Sequence, residues 1–273
     1  MLPTVDVLML VYNHERTLKK SIQSVLDQKN VNINLIITND ASTDNSKFII
    51  DSFKNDNIIC YHKQENEGVA TNAEFLLDLV RAEFVAFLEG DDQWISDTKL
   101  SDQIDALGNN FSFCYTQYLK YNHSQNIQTL YSYKDEIIEG KDLIIDVINN
   151  KLHCFHINTL LLKSEVLIEV RNKYYQLFYD KNISAGDLRL FCTLANNYKG
   201  YFLNQKTMLY NFDQGVSADK KNIKWRVLSI YSKFKISLVI FGINKQSLIR
   251  FIKLILFCIK IPFLTFYYFI QKN

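Results

Sequence analysis

The stretch that most constrains this chain is Phe84-Val85-Ala86-Phe87-Leu88-Glu89-Gly90-Asp91-Asp92-Gln93-Trp94, in which an apolar run discharges directly into three carboxylates. Such a run suits a parallel strand buried on both faces, and ligands of open α/β sheets gather beyond the carboxyl ends of those strands. The acids therefore stand where a ligand would be. Three like charges at one strand end repel one another. Either they lie hydrated at a turn, or a hard divalent cation, magnesium or manganese, neutralises them through oxygen ligands.

The flanking sequence supplies the sheet. Val5 to Val11 reads as an apolar strand, followed by a helix over Arg16 to Asp27, where Leu18, Ile22, Val25 and Leu26 recur at helical spacing. Ile33 to Thr38 is the next strand and ends in Asn39-Asp40-Ala41-Ser42-Thr43-Asp44. Asp44 is placed to cap a helix running to about Lys54, with Phe48, Ile49 and Phe53 inward. Ile58 to His62 makes a third strand, Gly68-Val69-Ala70 opens a third helix, and Phe84 to Leu88 is the fourth strand. That alternation predicts a parallel sheet wound in the right-handed sense, with Tyr12, Asp40, Asn66 and Glu89 at strand ends on one edge. Beyond Trp94 a helix is expected over Asp97 to Leu107, then strands at Phe111 to Leu119 and Thr129 to Tyr133. Mixed structure follows to about residue 218, including His153 to Asn158, a helix opening at Gly186-Asp187, and a strand over Thr207 to Phe212.

Composition bears on partners and compartment. The chain has 273 residues, enough for a full core, and 48% hydrophobic content with two prolines argues against disorder. The net charge of +2 hides an asymmetry, because the segment from Lys220 to Asn273 holds eleven Lys or Arg and no acid. The remainder carries 20 basic against 29 acidic side chains, a net of −9. A basic, apolar tail is drawn to an anionic membrane surface rather than to nucleic acid. Cys60, Cys114, Cys154, Cys192 and Cys258 are odd in number and scattered, which suits a reducing compartment with neither disulfides nor a zinc site. The apolar stretch Val5 to Val11 is too short for a signal peptide and has no basic flank, so export is not expected. No Gly-rich dinucleotide or Walker loop is present, which removes support for hydride transfer and ATP hydrolysis.

Five motifs in order, each at an expected strand or helix end, carry a resemblance. Val11-Tyr12-Asn13, Asn39-Asp40-Ala41-Ser42-Thr43-Asp44, Asn66-Glu67-Gly68-Val69, Glu89-Gly90-Asp91-Asp92-Gln93-Trp94 with Lys99-Leu100 and Gln103, and Gly186-Asp187-Leu188-Arg189-Leu190 are similar to those of family 2 glycosyltransferases of the GT-A fold. Met208-Leu209-Tyr210 extends the resemblance, which spans about residues 4 to 217. It implies an α/β fold with a mostly parallel central sheet flanked by helices. Residues 1–107 would bind the nucleotide sugar, 108–218 would form the acceptor and catalytic half of the same domain, and 219–273 would be a basic amphipathic helical tail.

The resemblance also implies roles. Tyr12 would stack on the base of a UDP-sugar and Asp40 accept from its edge, with Asn13, Glu15, Asn66, Gly68, Asn72, Glu89 and Gly90 on the donor side. Taken singly, Tyr12 suits a strand-end core residue and Asp40 a turn former equally well. Asp91 and then Asp92 would hold a divalent ion, manganese or magnesium, with Glu89 nearer the ribose. Asp187 would be the general base that activates an acceptor hydroxyl and inverts the anomeric centre, although an aspartate there also suits a helix cap. Trp94, His156 and Asn158 would lie on the acceptor side, a saccharide that is lipid-linked in bacterial surface-glycan synthesis. Two departures stand out: Tyr210-Asn211-Phe212-Asp213 replaces the usual Tyr-Arg-x-His, and Thr71 precedes Asn72 where relatives often carry arginine. Asp213 would have to offer an oxygen in place of that histidine.

The rivals are a sugar-nucleotide nucleotidyltransferase and a binding subunit that has lost turnover. The first would need a Gly-rich basic loop where Tyr12-Asn13-His14-Glu15 stands, and the second is opposed by Asp91 and Asp187. In the tail, Gln246, Arg250, Lys253 and Lys260 fall in one narrow stripe of an otherwise apolar helix that Pro262 would kink. Its uncharged runs are shorter than the roughly 18 residues a bilayer needs, so the segment reads as an interfacial helix, or as one packed on the body or on a second copy. The enzyme would then sit on the cytoplasmic face of the plasma membrane as a peripheral protein.

Overall fold

The structure, a computed structural model, describes residues 1–122, 127–129, 136–138, 144, 148, 155–180, 182–183, 186–211, 223–243, 249 and 252. Strand β1 (Thr4–Val11) forms the centre of the first half, pairing in parallel with β2 (Asn32–Asn39) on one side and β4 (Phe84–Phe87) on the other. β3 (Ile58–His62) extends the parallel set beyond β2. Helices α1 (Leu18–Leu26), α2 (Ser46–Ser52) and α3 (Val69–Asp78) make the crossovers, so the strands' carboxyl ends share one edge, as the alternation predicts. Asp6, buried within β1, accepts bonds from the backbone of Arg81 (2.6 Å) and Ala82 (2.8 Å) and from Asn34 Nδ2 (2.8 Å), which fixes the opposite end of β4.

The second half differs from a purely parallel sheet. β5 (Gln93–Trp94), β6 (Phe113–Asn122), β7 (Ile127–Thr129), β8 (Glu136–Ile138), β9 (Leu160–Lys163) and β10 (Gly200–Asn211) join the same ten-stranded sheet, whose path runs β3-β2-β1-β4-β9-β6-β10-β5. β9 lies antiparallel between β4 and β6, while β10 runs parallel to β6 and antiparallel to β5. α4 (Lys99–Leu107) joins α1 on one face of the sheet, with Leu18, Ile22, Val25, Leu100 and Leu107 in its core. On the other face α3 packs with α5 (Ser164–Lys173), α6 (Tyr175–Phe178), α7 (Gly186–Asn197) and α8 (Ile223–Phe241).

Three expectations change. Phe48, expected inward, is 74% exposed, because α2 is only seven residues long and turns Ser46 and Ile50 toward the sheet. The basic tail begins as part of the body: Ile236 is fully buried on α8, and Tyr231 and Lys235 both bond to Asp180 on the neighbouring helical face. α8 stops at Gly242, whose φ of +68° suits glycine and whose N–H returns to Leu238 O. Among the described residues no helix is long and apolar enough to cross a membrane. Third, the strand expected over Thr207 to Phe212 begins earlier, at Gly200. His153, Asp213, the strand residues expected beyond Thr129, and the tail residues Gln246, Arg250, Lys253, Lys260 and Pro262 lie outside the described residues.

Beneath the acidic stretch sits a buried polar support. Lys99, fully buried at the start of α4, donates to Gln103 Oε1 at 2.6 Å and places its ammonium 4.4 Å from the centre of the Trp94 ring. Gln103 in turn donates to the backbone of Cys114 (2.8 Å) and Thr159 (2.9 Å), tying α4 to β6 and to the short turn at Ile157–Thr159. Burial pushes the Lys99 ammonium down to about 7. Above that pH the folded chain has released a proton that the unfolded chain keeps until about pH 10, so this group makes stability rise with pH between those limits. Lys99→Met removes the titration. Melting or urea unfolding from pH 7 to 10 should show the parent gaining stability relative to the variant, and parallel curves would mean that Lys99 keeps its charge when folded.

Candidate active site

The end of β4 is pinned from several sides. Leu88 and Gly90 continue the ladder by donating to Leu8 and Leu10 of β1, at 3.0 Å each. From α1, Thr17 and Ser21 bring hydroxyls onto Gly90 O (2.8 and 2.9 Å), and Ser21 also reaches Asp92 O. A β-carbon on Gly90 would come within 2.7 Å of His14 Nδ1 and 3.1 Å of Leu18, so a side chain there would displace the loop against which the acids turn. Glycine is needed here for close approach rather than for its backbone angle.

The three acids have different environments. Carboxylate oxygens of Glu89, Asp91 and Asp92 all lie within 4.8 Å of one another. Asp92 is buried and already committed: Oδ1 accepts from Asn211 N (2.9 Å) and Oδ2 from Asn158 Nδ2 (2.7 Å). Burial, followed by the charges of Asp91 and Glu89, pushes its carboxyl well above the usual range. Glu89 is half-buried, and desolvation with the charges of Asp91 and Asp187 pushes it up to about 8. Asp91 is 8% exposed, and its Oδ1 is buried with no hydrogen-bond partner among the described residues. A buried carboxylate oxygen with nothing to bond is costly, and a divalent cation is the partner that hard oxygens at this spacing suit. The three acids therefore fit a divalent ion, with Asp91 offering the unpartnered oxygen and both oxygens of Asp92 already bonded.

Trp94 and Asn158, expected on the acceptor side, are buried under the acidic turn. Trp94 is 2% exposed and its indole N–H donates to Asn158 O at 2.8 Å, while Asn158 Oδ1 accepts from Glu89 N at 3.3 Å. Both hold the carboxylates from below. His156 remains half-buried at the surface of the cleft, its ring packed on Tyr210 at 4.6 Å and Tyr118 at 5.6 Å between centroids. Burial lowers its affinity for a proton, while the charges of Asp187 and Asp91 oppose that shift. Asp187 stands in the first turn of α7, its Oδ1 accepting from Leu188 N at 2.8 Å. Its charge acts on both Glu89 and His156, which sets the first turn of α7 near the acidic turn.

On the other side of the acids the loops after β1 and β2 lock together. Asn13 N donates to Ser42 Oγ (3.0 Å) and Asn13 Oδ1 accepts from Thr43 N (2.8 Å). Glu15 N meets Asp44 Oδ2 at 2.9 Å, and Glu15 Oε2 accepts from Asn45. Asn13 and Glu15 thus tie the loop after β1 to the loop after β2. Tyr12, 44% exposed, presents its ring. Asp40, 6% exposed, accepts from Glu67 N (2.8 Å) and Gly68 N (2.9 Å) and so clamps the loop carrying Asn66 to the end of β2. Ala41 follows with φ +53°, a left-handed conformation that a non-glycine residue adopts at a cost of about 1 kcal/mol or more. Asn72 is buried one turn into α3, its Nδ2 on Gly68 O and its Oδ1 unpartnered among the described residues.

Sequence reasoning gave no role to three residues that hold the acids: Thr17 and Ser21, outside the motifs, and Asn211, within the departing stretch Tyr210-Asn211-Phe212-Asp213. Ser21 and Ser24 do leave a trace, as hydroxyls on the otherwise apolar face of α1. The Asn211 contact leaves none, because the bond to Asp92 is made by a backbone N–H, which any residue but proline carries, and it joins positions 119 apart.

Comparisons with known proteins agree with this geometry. Residues 6–171 match the family description "Glycosyl transferase family 2". The chain is 35% identical over 100 residues to the Escherichia coli UDP-Glc:alpha-D-GlcNAc-diphosphoundecaprenol beta-1,3-glucosyltransferase WfaP, a match covering 37% of this chain and 39% of that protein. The chain thus spans well under half the length of that curated relative. Among solved structures, S. aureus TarS 1-349 in complex with UDP-GlcNAc superposes with a TM-score of 0.68 at 14% identity, covering 90% of this chain and 69% of that one. The mannosyltransferase PcManGT from Pyrobaculum calidifontis in complex with GDP-Man and Mn2+ gives 0.60 at 12% identity, covering 90% and 66%. At such identities the likeness establishes the fold, which is the expected GT-A arrangement. With its family pattern running from Asp6 in β1 through the acidic turn to Arg171 in α5, the chain belongs to glycosyl transferase family 2.

Proposed function

We propose that this chain is an inverting glycosyltransferase that moves a sugar from a UDP-sugar to a hydroxyl of a lipid-linked saccharide in bacterial surface-glycan synthesis. The observation that carries the reading is the unpartnered, buried Asp91 Oδ1 inside a carboxylate triplet whose field is shared by Asp187 across the cleft. The relative WfaP is named for a UDP-glucose donor and a diphosphoundecaprenol-linked GlcNAc acceptor, which supports the choice of donor and acceptor class. Residues 1–107 take the donor and 108–218 the acceptor.

In this reading Tyr12 stacks on uracil while Asp40 keeps the loop of Asn66 and Gly68 closed along its edge. Asp91 would hold a divalent ion, manganese or magnesium, which when bound would supply counter-charge for the leaving diphosphate. Asp187 takes the proton from the attacking hydroxyl, and attack opposite the leaving group inverts the anomeric carbon. His156, Tyr118 and Tyr210 offer ring surface on the side where the acceptor enters.

A panel of UDP-glucose, UDP-galactose, UDP-GlcNAc and UDP-GalNAc, with a GlcNAc-diphospholipid acceptor and with or without manganese, tests donor, acceptor and metal together. Calorimetry of UDP should give tight binding with manganese and at least about tenfold weaker binding with chelator, and Asp91→Asn should abolish the difference. Asp187→Asn should keep UDP affinity and lower turnover by about a hundredfold or more. A variant within a few-fold of the parent would leave Asp187 as a helix cap.

The peripheral membrane reading belongs to the same proposal. The eleven cations after Asp219, against no anion, are drawn to acidic headgroups, each contributing about 1 kcal/mol near the surface. α8 is bound to the body and ends at Gly242, so the attaching part is the segment beyond it. Truncation after Gly242 should leave a body that binds UDP and no longer sediments with phosphatidylglycerol vesicles. A full-length chain that ignores such vesicles would end the membrane reading.

A further inference from the structure

On the helical side of the sheet, two buried guanidinium groups share one carboxylate. Arg171 of α5 and Arg189 of α7 are each 7% exposed. Glu74 of α3 accepts from Arg189 Nη2 through Oε1 at 3.0 Å and from Arg171 Nη2 through Oε2 at 3.1 Å. Arg171 also reaches Asp78 (2.8 Å) and the Tyr179 hydroxyl (3.2 Å). Arg189 Nη1 donates to the carbonyls of Leu177 (3.2 Å) and Phe178 (2.8 Å). Two like charges this close need an anion between them, and Asp78 is too exposed, at 62%, to serve alone.

The placement of this bridge gives it a consequence for the cleft. Arg189 is two residues beyond Asp187, hence about 200° around the helix, so the arginine anchors the back of the turn whose front carries the carboxylate. Glu74 lies two residues beyond Asn72, on the helix whose start at Gly68 is clamped by Asp40. The Glu74–Arg189 pair is thus a direct side-chain bond between the donor-side helix and the helix of the proposed base.

We propose that Glu74 is a positioning residue, which sets Asp187 against the donor site through Arg189. The inference rests on the assignment of Asp187 as base. A displacement of about 1 Å in a catalytic group costs up to a hundredfold in rate, whereas donor affinity depends on other contacts.

The test is a double-mutant cycle of Glu74→Gln with Asp187→Asn, measured as UDP release on whichever donor of the UDP-sugar panel turns over fastest, with UDP affinity by calorimetry. Glu74→Gln alone should lower kcat about tenfold or more and leave UDP affinity within about twofold. In the Asp187→Asn background the same change should alter the residual rate by less than about twofold, because the group that it positions is gone. Glu74→Asp, which keeps the charge and shortens the reach, should show the same non-additivity and serves where Glu74→Gln does not fold. Equal losses in both backgrounds, or an unchanged kcat in Glu74→Gln, overturn the positioning role and leave a purely structural ion pair. Full turnover in Asp187→Asn alone overturns the base assignment itself, and the inference with it, so the two failures are distinguishable.

Discussion

Repulsion among three carboxylates at the end of β4 is the constraint on which the arrangement of the cleft depends. Coulomb energy between unit charges about 4 Å apart reaches several kcal/mol near a protein surface, so the chain cannot leave all three ionised and uncompensated. It treats each differently. Asp92 is enclosed by Asn158 and Asn211, Glu89 is lifted to about 8, and Asp91 keeps one oxygen open. The inequality has a chemical consequence: of the three acids, Asp91 alone has a buried carboxylate oxygen without a hydrogen-bond partner among the described residues.

Holding that inequality requires groups from far along the chain. Asn158 comes from the turn before β9 and Asn211 from the end of β10, while the hydroxyls of Thr17 and Ser21 come from α1. Below them Trp94, Gln103 and buried Lys99 continue the polar layer into the core. A buried network of this kind is stabilising only when its members are nearly all satisfied, which favours one geometry over close alternatives. Trp94, Lys99 and Gln103 of this motif are therefore a foundation for the acids.

How far the sequence discloses this follows from the range of each interaction. The β–α alternation to Phe87 is local, and its strands, crossovers and common edge are legible from apolar periodicity alone. The position of β9 is not, because Leu160–Lys163 pairs antiparallel with β4 across some eighty residues, and no nearby turn announces it. The same applies to Phe48, where helical spacing offers an apolar residue that the short α2 turns to solvent. Within the site, Asp91 and Asp187 are legible by resemblance. The burial of Trp94 and Asn158 is not, since aromatic and amide side chains serve equally well to line a cleft or to support one.

The acidic cleft also bears on how a diphosphate would be met. Two histidines feel the field of Asp91: His14, whose ring packs over Gly90, and His156, beside Tyr210. Both would gain a proton from that field, yet burial outweighs it and holds each below the ordinary imidazole value. Neither is then a ready cation at neutral pH. Arg189, the basic residue nearest in sequence to Asp187, is turned to the back of α7 and committed to Glu74 and two carbonyls. The strand-three position where relatives often have arginine is Thr71. Among the described residues these choices leave the region around Asp91 short of fixed positive charge, an arrangement in which a divalent ion would be the compensation that suits it.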